Sequence, residues 1–321
     1  MDILGNLSVP NYRNALLGVF CVALSLFVFV GPQPAASDPV LIAKRESVYN
    51  NIYVFKEGPI ITLTFGHNRA LYTETVYDTR DELALPSRYT RYMTAVLAYA
   101  GEVDRVLEIG FGGGRTAWYL HRTMPDLAVT SVELDPEVFK LAKRYFGVRL
   151  EPNFNVSIED GRRYIMRRKA RWPVILIDAY RSAFVPFHLL TTEFYQLVKS
   201  RLRPGGAVAQ NVEPNTMMFD AALVTIGKVF DHVDLYDAGG NVVMIAYDGP
   251  RREQARLAST ASRLDDAFGF KYPLGELVSR RRSVERLPDT AVLTDDFAPV
   301  ESLRAIQRHN RKLDEFLKGK W

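Results

Sequence analysis

The sequence is poor in the residues that build disulfide frameworks and metal centres. Its 321 residues include one cysteine, Cys21, which excludes an internal disulfide and any cysteine-rich metal site. The five histidines are scattered without the spacing of metal ligands, so we expect no bound metal. A formal net charge of +4 is too small to indicate nucleic-acid binding by itself, and we expect none.

What the sequence does contain is a glycine-rich turn between a predicted strand and a predicted helix. Residues 106–115 read Val-Leu-Glu-Ile-Gly-Phe-Gly-Gly-Gly-Arg. Such a turn lets a ligand approach the backbone closely. Glu133 and Asp135 end the next predicted strand, about twenty residues later, where an acidic side chain can accept hydrogen bonds from the two ribose hydroxyls. The sequence therefore predicts a nucleoside-containing cofactor.

Strands and helices alternate through the middle of the chain, which predicts a doubly wound sheet. The last two strands, 233–236 and 242–247, are too close for a helical crossover, so we expect them to be antiparallel. That feature fits S-adenosylmethionine enzymes better than nicotinamide enzymes. Short alternating segments between residues 47 and 77 predict a small sheet of hairpins. The predicted fold class is α/β, a Rossmann-like S-adenosylmethionine-dependent transferase fold with a small N-terminal β-hairpin domain.

The N-terminus carries a separate apolar segment. Residues 15–30 form an apolar run of 16 residues, just short of the usual membrane span. Residues 35–37, Ala-Ala-Ser, are typical of a signal peptide. Lys44 and Arg45 fit a single anchor whose C-terminal domain stays in the cytoplasm. Because a nucleoside cofactor is cytosolic, we favour the anchor, with the enzyme at the cytoplasmic face of the membrane, over a cleaved signal or a misassigned start codon.

Four regions are therefore expected. They are an anchor or signal-like segment with its linker, a β-hairpin domain, a nucleoside-binding catalytic domain and a helical extension, at residues 1–37, 38–84, 85–250 and 251–321.

Several motifs, in order and at suitable spacing, resemble the spermidine synthase (polyamine aminopropyltransferase) superfamily. Two further segments, 186–191 and 293–301, are similar to its divergent, often membrane-attached, spermidine synthase-like branch. The resemblance implies decarboxylated S-adenosylmethionine or S-adenosylmethionine as co-substrate, no metal, a small-molecule acceptor and a homodimer. The motifs that carry it are residues 106–115, 132–136, 159–161, 175–180 and 202–206.

The resemblance also implies residue roles. Glu133 would bind the ribose hydroxyls, and Asp160 would accept from the adenine amino group, with Gly161 leaving room for the base. Asp178, at the end of a strand, would help to deprotonate the attacking amine. A helix-capping role is the structural alternative for this aspartate. The turn beneath the nucleoside would be formed by Gly110, Gly112 and Gly114.

Three positions depart from the family pattern. The aspartate that meets the donor's ammonium is replaced by Gly113, and the acid three residues after Asp178 is Arg181. An upstream glutamate is replaced by Arg91, in Tyr89-Thr90-Arg91. If the arginines face the pocket they would repel a diamine and could bind a carboxylate; otherwise they face solvent or pair with local acids. The expected substrate-binding residues are Tyr89, Arg91, Arg181 and Gln210.

These observations predict a transferase, with aminopropyl transfer to an amine as the default reaction. Methyl transfer from S-adenosylmethionine to a small, possibly anionic acceptor is the first alternative. A catalytically inactive nucleoside-binding membrane protein is the second, and a nicotinamide dehydrogenase is a weaker one.

Overall fold

The computed structural model describes residues 38–67, 70–181, 185–216, 218–284 and 287–296. The predicted anchor at 15–30 and the end of the 293–301 motif lie outside these residues. Within the described ranges, no helix has both the length and the apolar character that a membrane crossing requires. The described residues belong to one compact unit.

A four-stranded antiparallel sheet opens the described chain, as the hairpin pattern predicts. Its strands are β1 (Val40–Glu46), β2 (Asn51–Glu57), β3 (Ile60–His67) and β4 (Ala70–Asp78), in that spatial order. Alternate residues of β2, Ile52 and Val54, are fully buried, as the two-residue period of a strand requires. The edge strand β1 is not predicted from the sequence, because it is largely exposed and lacks a clear buried face.

One irregularity in this sheet bears on the site. Leu63 of β3 pairs with Thr75 of β4, but the next residue, Thr64, pairs with Thr73. Glu74 is therefore the extra residue of a β-bulge. A bulge of this kind changes the direction in which the local side chains point.

The larger sheet has eight strands in the order β12-β10-β11-β9-β8-β5-β6-β7. Its first five strands along the chain, β5 to β9, are parallel to one another. The antiparallel pairs are β11 with β9, β10 with β11, and β10 with β12. The antiparallel final pair is confirmed. The strands are β5 (Arg105–Ile109), β6 (Ala128–Glu133), β7 (Phe154–Ile158), β8 (Trp172–Ile177), β9 (Leu202–Val212), β10 (His232–Asp237), β11 (Val242–Tyr247) and β12 (Arg282–Ser283).

Helices connect these strands and cover both faces of the sheet, so apolar side chains form two clusters on opposite sides of it. A short helix followed by a 3-10 turn at Thr94–Ala98 precedes β5. The helices are α1 (Arg88–Met93), α2 (Arg115–Thr123), α3 (Pro136–Tyr145), α4 (Gly161–Arg167), α5 (Thr192–Arg201), α6 (Met218–Val229), α7 (Gln254–Phe268) and α8 (Leu274–Val278).

The Leu-Arg-Pro-Gly-Gly motif, residues 202–206, lies within a strand. The strand β9 already begins at Leu202, which pairs with Trp172, and the next regular pair joins Val174 to Ala207. Residues 203–206 are thus accommodated as a bulge within β9. Gly205 adopts a positive φ of 77° there, which a glycine tolerates without strain.

The topology determines where a ligand can bind. The strand β5 has β6 on one side and β8 on the other, so the chain reverses direction across the sheet at β5. In open α/β sheets the crevice at the carboxyl ends of such neighbouring strands is the usual ligand site. The loops after β5, β6 and β8 meet at this edge.

Candidate active site

A cavity of about 430 Å³ lies at the carboxyl ends of β5, β6 and β8. The glycine loop after β5 forms its floor, and residues of β4 in the smaller sheet form part of its wall. Its volume lies within the range of small-molecule sites. The cavity therefore joins the two sheets and places strand-end side chains from both around one space.

The glycine loop is shaped by close backbone contacts. Gly110 has a φ of 90°, and a Cβ atom there would overlap the carbonyl oxygen of Asp178. The amide N–H of Asp178 donates to the carbonyl of Ile109 at 2.8 Å, which ties the end of β8 to the loop. Gly110 and Gly112 line the cavity, whereas Gly114 begins α2 beneath the ring of Phe111.

Backbone donors hold the carboxylate of Glu133 against this loop. Its Oε2 atom accepts from the N–H groups of Phe111 and Gly112, each at 3.1 Å, and its Oε1 atom accepts from Asp135 N–H at 2.9 Å. Burial raises the pKa of this carboxyl, and the three N–H donors act in the opposite direction. Glu133 thus lines the cavity in a fixed orientation, at the position expected for a ribose contact.

Asp160 and Gly161 line the same cavity at the start of α4. The Asp160 carboxylate caps this helix by accepting from Arg163 N–H at 2.8 Å. His188 lies 3.3 Å from its other oxygen, and that contact contributes most to lowering the pKa of Asp160. A Cβ atom on Gly161 would overlap the side chain of Ile109, so this glycine also permits close packing of α4 on β5.

Asp178 lies just beyond β8, where it is enclosed by other residues. Burial raises the pKa of its carboxyl to about 6, while hydrogen bonds from Asn211 and Tyr89 lower it. Asn211 Nδ2 donates to Asp178 Oδ1 at 2.9 Å. The carboxylate accepts from side chains and lines the cavity, so it is not occupied in capping a helix.

The structure separates the four residues expected to bind substrate. Tyr89 and Arg181 line the cavity. Arg91 does not, because its Nε donates to the carbonyl of Leu85 at 2.7 Å and its guanidinium stacks 4.4 Å from the Tyr272 ring. Of the two alternatives left open for Arg91, the structure favours the one in which this arginine does not face the pocket, and its assignment to substrate binding stays a prediction.

Gln210 is likewise displaced from its expected role. Its Oε1 accepts from the Tyr195 hydroxyl at 2.7 Å, and its Nε2 donates to the carbonyl of Leu189. Side chains alternate along a strand, so Gln210 of β9 points towards α5 while the next residue, Asn211, points to Asp178. Gln210 does not line the cavity, and its assignment to substrate binding stays a prediction.

Two further acids, Glu74 and Glu108, line the cavity and escape the motif analysis. Burial raises the pKa of Glu108 to about 8, although the Ser131 hydroxyl donates to it at 2.6 Å. Burial also raises the pKa of Glu74 well above its usual value, and the nearby Asp178 and Glu133 carboxylates add to this rise. Glu108 lies within the glycine-rich segment 106–115, where no role was assigned to it, and Glu74 has no sequence signal apart from the irregular alternation of β4.

The cavity wall is strongly acidic. Six carboxyl groups line it, from Glu74, Glu108, Glu133, Asp135, Asp160 and Asp178. Arg115 and Arg181 are the arginines among the lining residues. The guanidinium of Arg115 binds the carbonyl oxygens of Phe146 and Glu82 and lies 4.3 Å from the Tyr77 ring, so it is already occupied. Such a wall favours a positively charged ligand.

Comparisons with known proteins agree with this geometry. A family model described as a spermine/spermidine synthase domain matches residues 87–238. A polyamine aminopropyltransferase of Vibrio vulnificus is 26% identical over 301 residues, which cover 90% of this chain and 97% of that protein.

Solved structures share the fold. A probable spermidine synthase from Corynebacterium glutamicum superposes with a TM-score of 0.60 at 19% identity, over 80% of this chain and 99% of that one. Human methyltransferase-like protein 13, in complex with SAH, superposes with a TM-score of 0.51 at 24% identity, over 65% and 99%. The predicted Rossmann-like fold class with an N-terminal antiparallel sheet is confirmed.

Proposed function

We propose that this chain, which is similar to polyamine aminopropyltransferases, is a spermidine synthase-like transferase that moves the aminopropyl group of decarboxylated S-adenosylmethionine to an amine acceptor. The observation that carries the proposal is the acidic wall of the cavity. The proposed donor carries a sulfonium and an ammonium, and its acceptor is an amine, so all the groups to be bound are cationic or become so on protonation. Carboxylates are the side chains that stabilise such groups.

The nucleoside half of the donor would lie on the glycine loop. Glu133 would meet the ribose hydroxyls and Asp160 the adenine amino group, because both carboxylates line the cavity beside Gly110 and Gly112. A carboxylate can accept from hydroxyl or amine donors with the lone pairs its present partners leave free. This arrangement would direct the sulfonium chain towards Asp178.

Asp178 would prepare the acceptor. With a pKa of about 6 its carboxylate is mostly ionised at neutral pH, and it can accept a proton from the acceptor ammonium. The neutral nitrogen then attacks the carbon next to the sulfonium, so that a C–N bond forms and the C–S bond breaks. Methylthioadenosine leaves as a neutral thioether, the product nitrogen remains protonated as a secondary ammonium, and Asp178 returns its proton to water. Alignment of the two partners supplies much of the acceleration.

Methyl transfer is the second candidate, and two observations favour it. Gly113 places no carboxylate at the glycine loop, and Arg181 lies at the cavity, where it could bind the carboxylate of intact S-adenosylmethionine. The ionised carboxylates of Asp160 and Asp178 at the cavity argue for the first candidate, because they would repel the carboxylate of the intact donor.

Calorimetric titration of the full-length protein with each donor tests the proposal. We expect decarboxylated S-adenosylmethionine to bind at least about tenfold more tightly than S-adenosylmethionine, and a diamine to be converted with release of methylthioadenosine. Tighter binding of the intact donor, with methyl transfer to an acceptor, would replace the proposal by its alternative. If neither donor binds, the nucleoside site itself is wrong.

The homodimer and the anchor at residues 15–30 stay predictions. Size-exclusion chromatography with light scattering tests the first, and membrane fractionation of full-length protein and a version lacking residues 1–37 tests the second.

A further inference from the structure

The β-bulge in β4 directs two consecutive side chains towards the nucleoside-binding edge of the larger sheet. In a regular strand Glu74 and Thr75 would point to opposite faces. Here Glu74 is the unpaired residue of the bulge, and both it and Thr75 line the cavity. The bulge is therefore a local device that adds a carboxylate to the site from the smaller sheet.

Thr75 occupies the space beside Gly113. Its Oγ1 atom accepts from Gly113 N–H at 2.9 Å. A Cβ atom on Gly113 would lie 2.5 Å from Thr75 Cγ2 and 2.9 Å from Phe146 Cδ1. A longer, charged side chain at position 113 would not fit unless the side chains of Thr75 and Phe146 moved. The glycine loop thus cannot provide its own carboxylate, and the neighbouring residue of Thr75 provides one instead.

One carboxylate oxygen of Glu74 lacks a partner among the described residues. Its Oε1 atom is buried and has no hydrogen-bond partner among the residues that the structure describes. The groups that influence its ionisation most, after burial, are the Asp178 and Glu133 carboxylates, which repel its negative charge. A buried carboxylate without a donor costs free energy, and a bound cation would remove that cost.

The position of Glu74 indicates which cation it would meet. It is close enough to Glu133, at the ribose end, and to Asp178, at the acceptor end, to be affected by both charges. The side chain of a sulfonium donor would extend between these two ends. We propose that Glu74 binds the primary ammonium of the donor's aminopropyl group and so selects the decarboxylated donor. This inference rests on the proposed function.

Replacement Glu74→Gln tests this role, because it keeps the shape of the side chain and removes its charge. The matched control is Glu57→Gln, at the exposed end of β2 in the same sheet. Each full-length variant is titrated with decarboxylated S-adenosylmethionine, with methylthioadenosine, which lacks the aminopropyl group, and with the thioether that keeps the aminopropyl ammonium but has no sulfonium charge.

We expect Glu74→Gln to weaken binding of both ammonium-bearing ligands by about tenfold to a hundredfold, as for the loss of a charged hydrogen bond. Methylthioadenosine affinity should stay within about twofold of the wild-type protein, and Glu57→Gln should change none of the three. The preference of the Glu74→Gln variant for the decarboxylated donor over intact S-adenosylmethionine should fall as well, since position 74 would no longer repel the carboxylate of the intact donor.

The outcomes separate this inference from the proposed function. If the wild-type protein binds the decarboxylated donor, and Glu74→Gln leaves the affinity for the ammonium-bearing ligands relative to methylthioadenosine unchanged, only the role of Glu74 is overturned. Loss confined to the decarboxylated donor, with the thioether unaffected, assigns Glu74 to the sulfonium and also contradicts the inference. Wild-type protein that binds none of the three ligands removes the proposed function, and this inference with it.

Discussion

The two halves of the cavity are built in different ways. In the nucleoside half, the Glu133 carboxylate accepts three backbone N–H groups and the Asp160 carboxylate caps α4. In the acceptor half, Asp178 is held by the side chains of Asn211 and Tyr89, and Glu74 Oε1 is buried without a partner among the described residues. Backbone donors make the first half rigid before any ligand binds. Side-chain donors leave the second half dependent on the cation it receives.

The largest expected effect comes from removing the charge of Asp178. Asp178→Asn should lower kcat by about a hundredfold to ten-thousandfold, the usual contribution of a positioned proton acceptor. Methylthioadenosine affinity should change little, because the nucleoside half does not use this carboxylate. Turnover and calorimetry on the same preparation measure both quantities. A variant that retains full turnover would point to a different base, whereas wild-type protein without turnover would support an inactive binding protein.

Gly110 joins the two halves, so its replacement should damage both. Gly110→Ala adds a Cβ that overlaps the carbonyl oxygen of Asp178 at a φ of 90°. We expect a loss of about 2–3 kcal/mol in the free energy of unfolding. The matched control is Gly205→Ala, where φ is 77° but a Cβ would meet no atom within 4 Å. Urea unfolding of both variants separates the steric overlap from backbone strain, and equal losses would contradict the overlap.

The sequence correctly predicts which residues lie at the cavity where backbone geometry fixes their positions. The glycine turn and the acids after β6 and β7 lie at fixed offsets from strand ends, so the motif predicts their place. The acceptor half is assembled from side chains far apart in sequence. A one-residue error in the alternation of a strand therefore assigns the wrong side chain to that half. Gln210 and Asn211 illustrate this, since the first bonds Tyr195 and the second Asp178.

Two other residues show the same limit. Arg91 stacks on Tyr272, a partner nearly two hundred positions away that no local pattern indicates. Glu74 enters the cavity because of a bulge, and a bulge depends on the pairing register of two strands rather than on the sequence of one. The edge strand β1 is missed because it has no clear alternation to detect.

Glu108 offers a test of how far burial alone sets the electrostatics of this edge. Its pKa in the folded protein is raised to about 8. The stability contributed by its protonated form is therefore complete at pH values below its pKa in the unfolded chain, and is lost as the pH rises through about 8. Glu108→Gln has no such charge to bury. We expect the variant to exceed the wild-type protein by about 1–3 kcal/mol at pH 9 and to match it more closely at pH 5.

Urea unfolding of ligand-free protein at the two pH values measures this difference, with Glu57→Gln as the exposed control. The difference between Glu108→Gln and wild type should increase with pH, whereas the difference for the control should not. Parallel stability curves for Glu108→Gln and wild type would show that the Ser131 hydrogen bond and local water compensate the charge, and would contradict the raised pKa.

The smallest expected effect distinguishes neighbouring residues of β9. Asn211→Leu removes a donor to the ionised form of Asp178, so the pKa of Asp178 should rise further above about 6. Because the ionised form is the active base, kcat/KM falls as the pH drops through this pKa, and the acid limb should move up by about one pH unit. Gln210→Leu breaks the bond to Tyr195 on the opposite face and should lower stability while leaving the limb in place. If the acid limb moves equally in both variants, general loosening of β9 controls the pKa of Asp178, rather than the hydrogen bond that Asn211 donates. That result would contradict the distinction between a half held by backbone donors and a half held by side-chain donors.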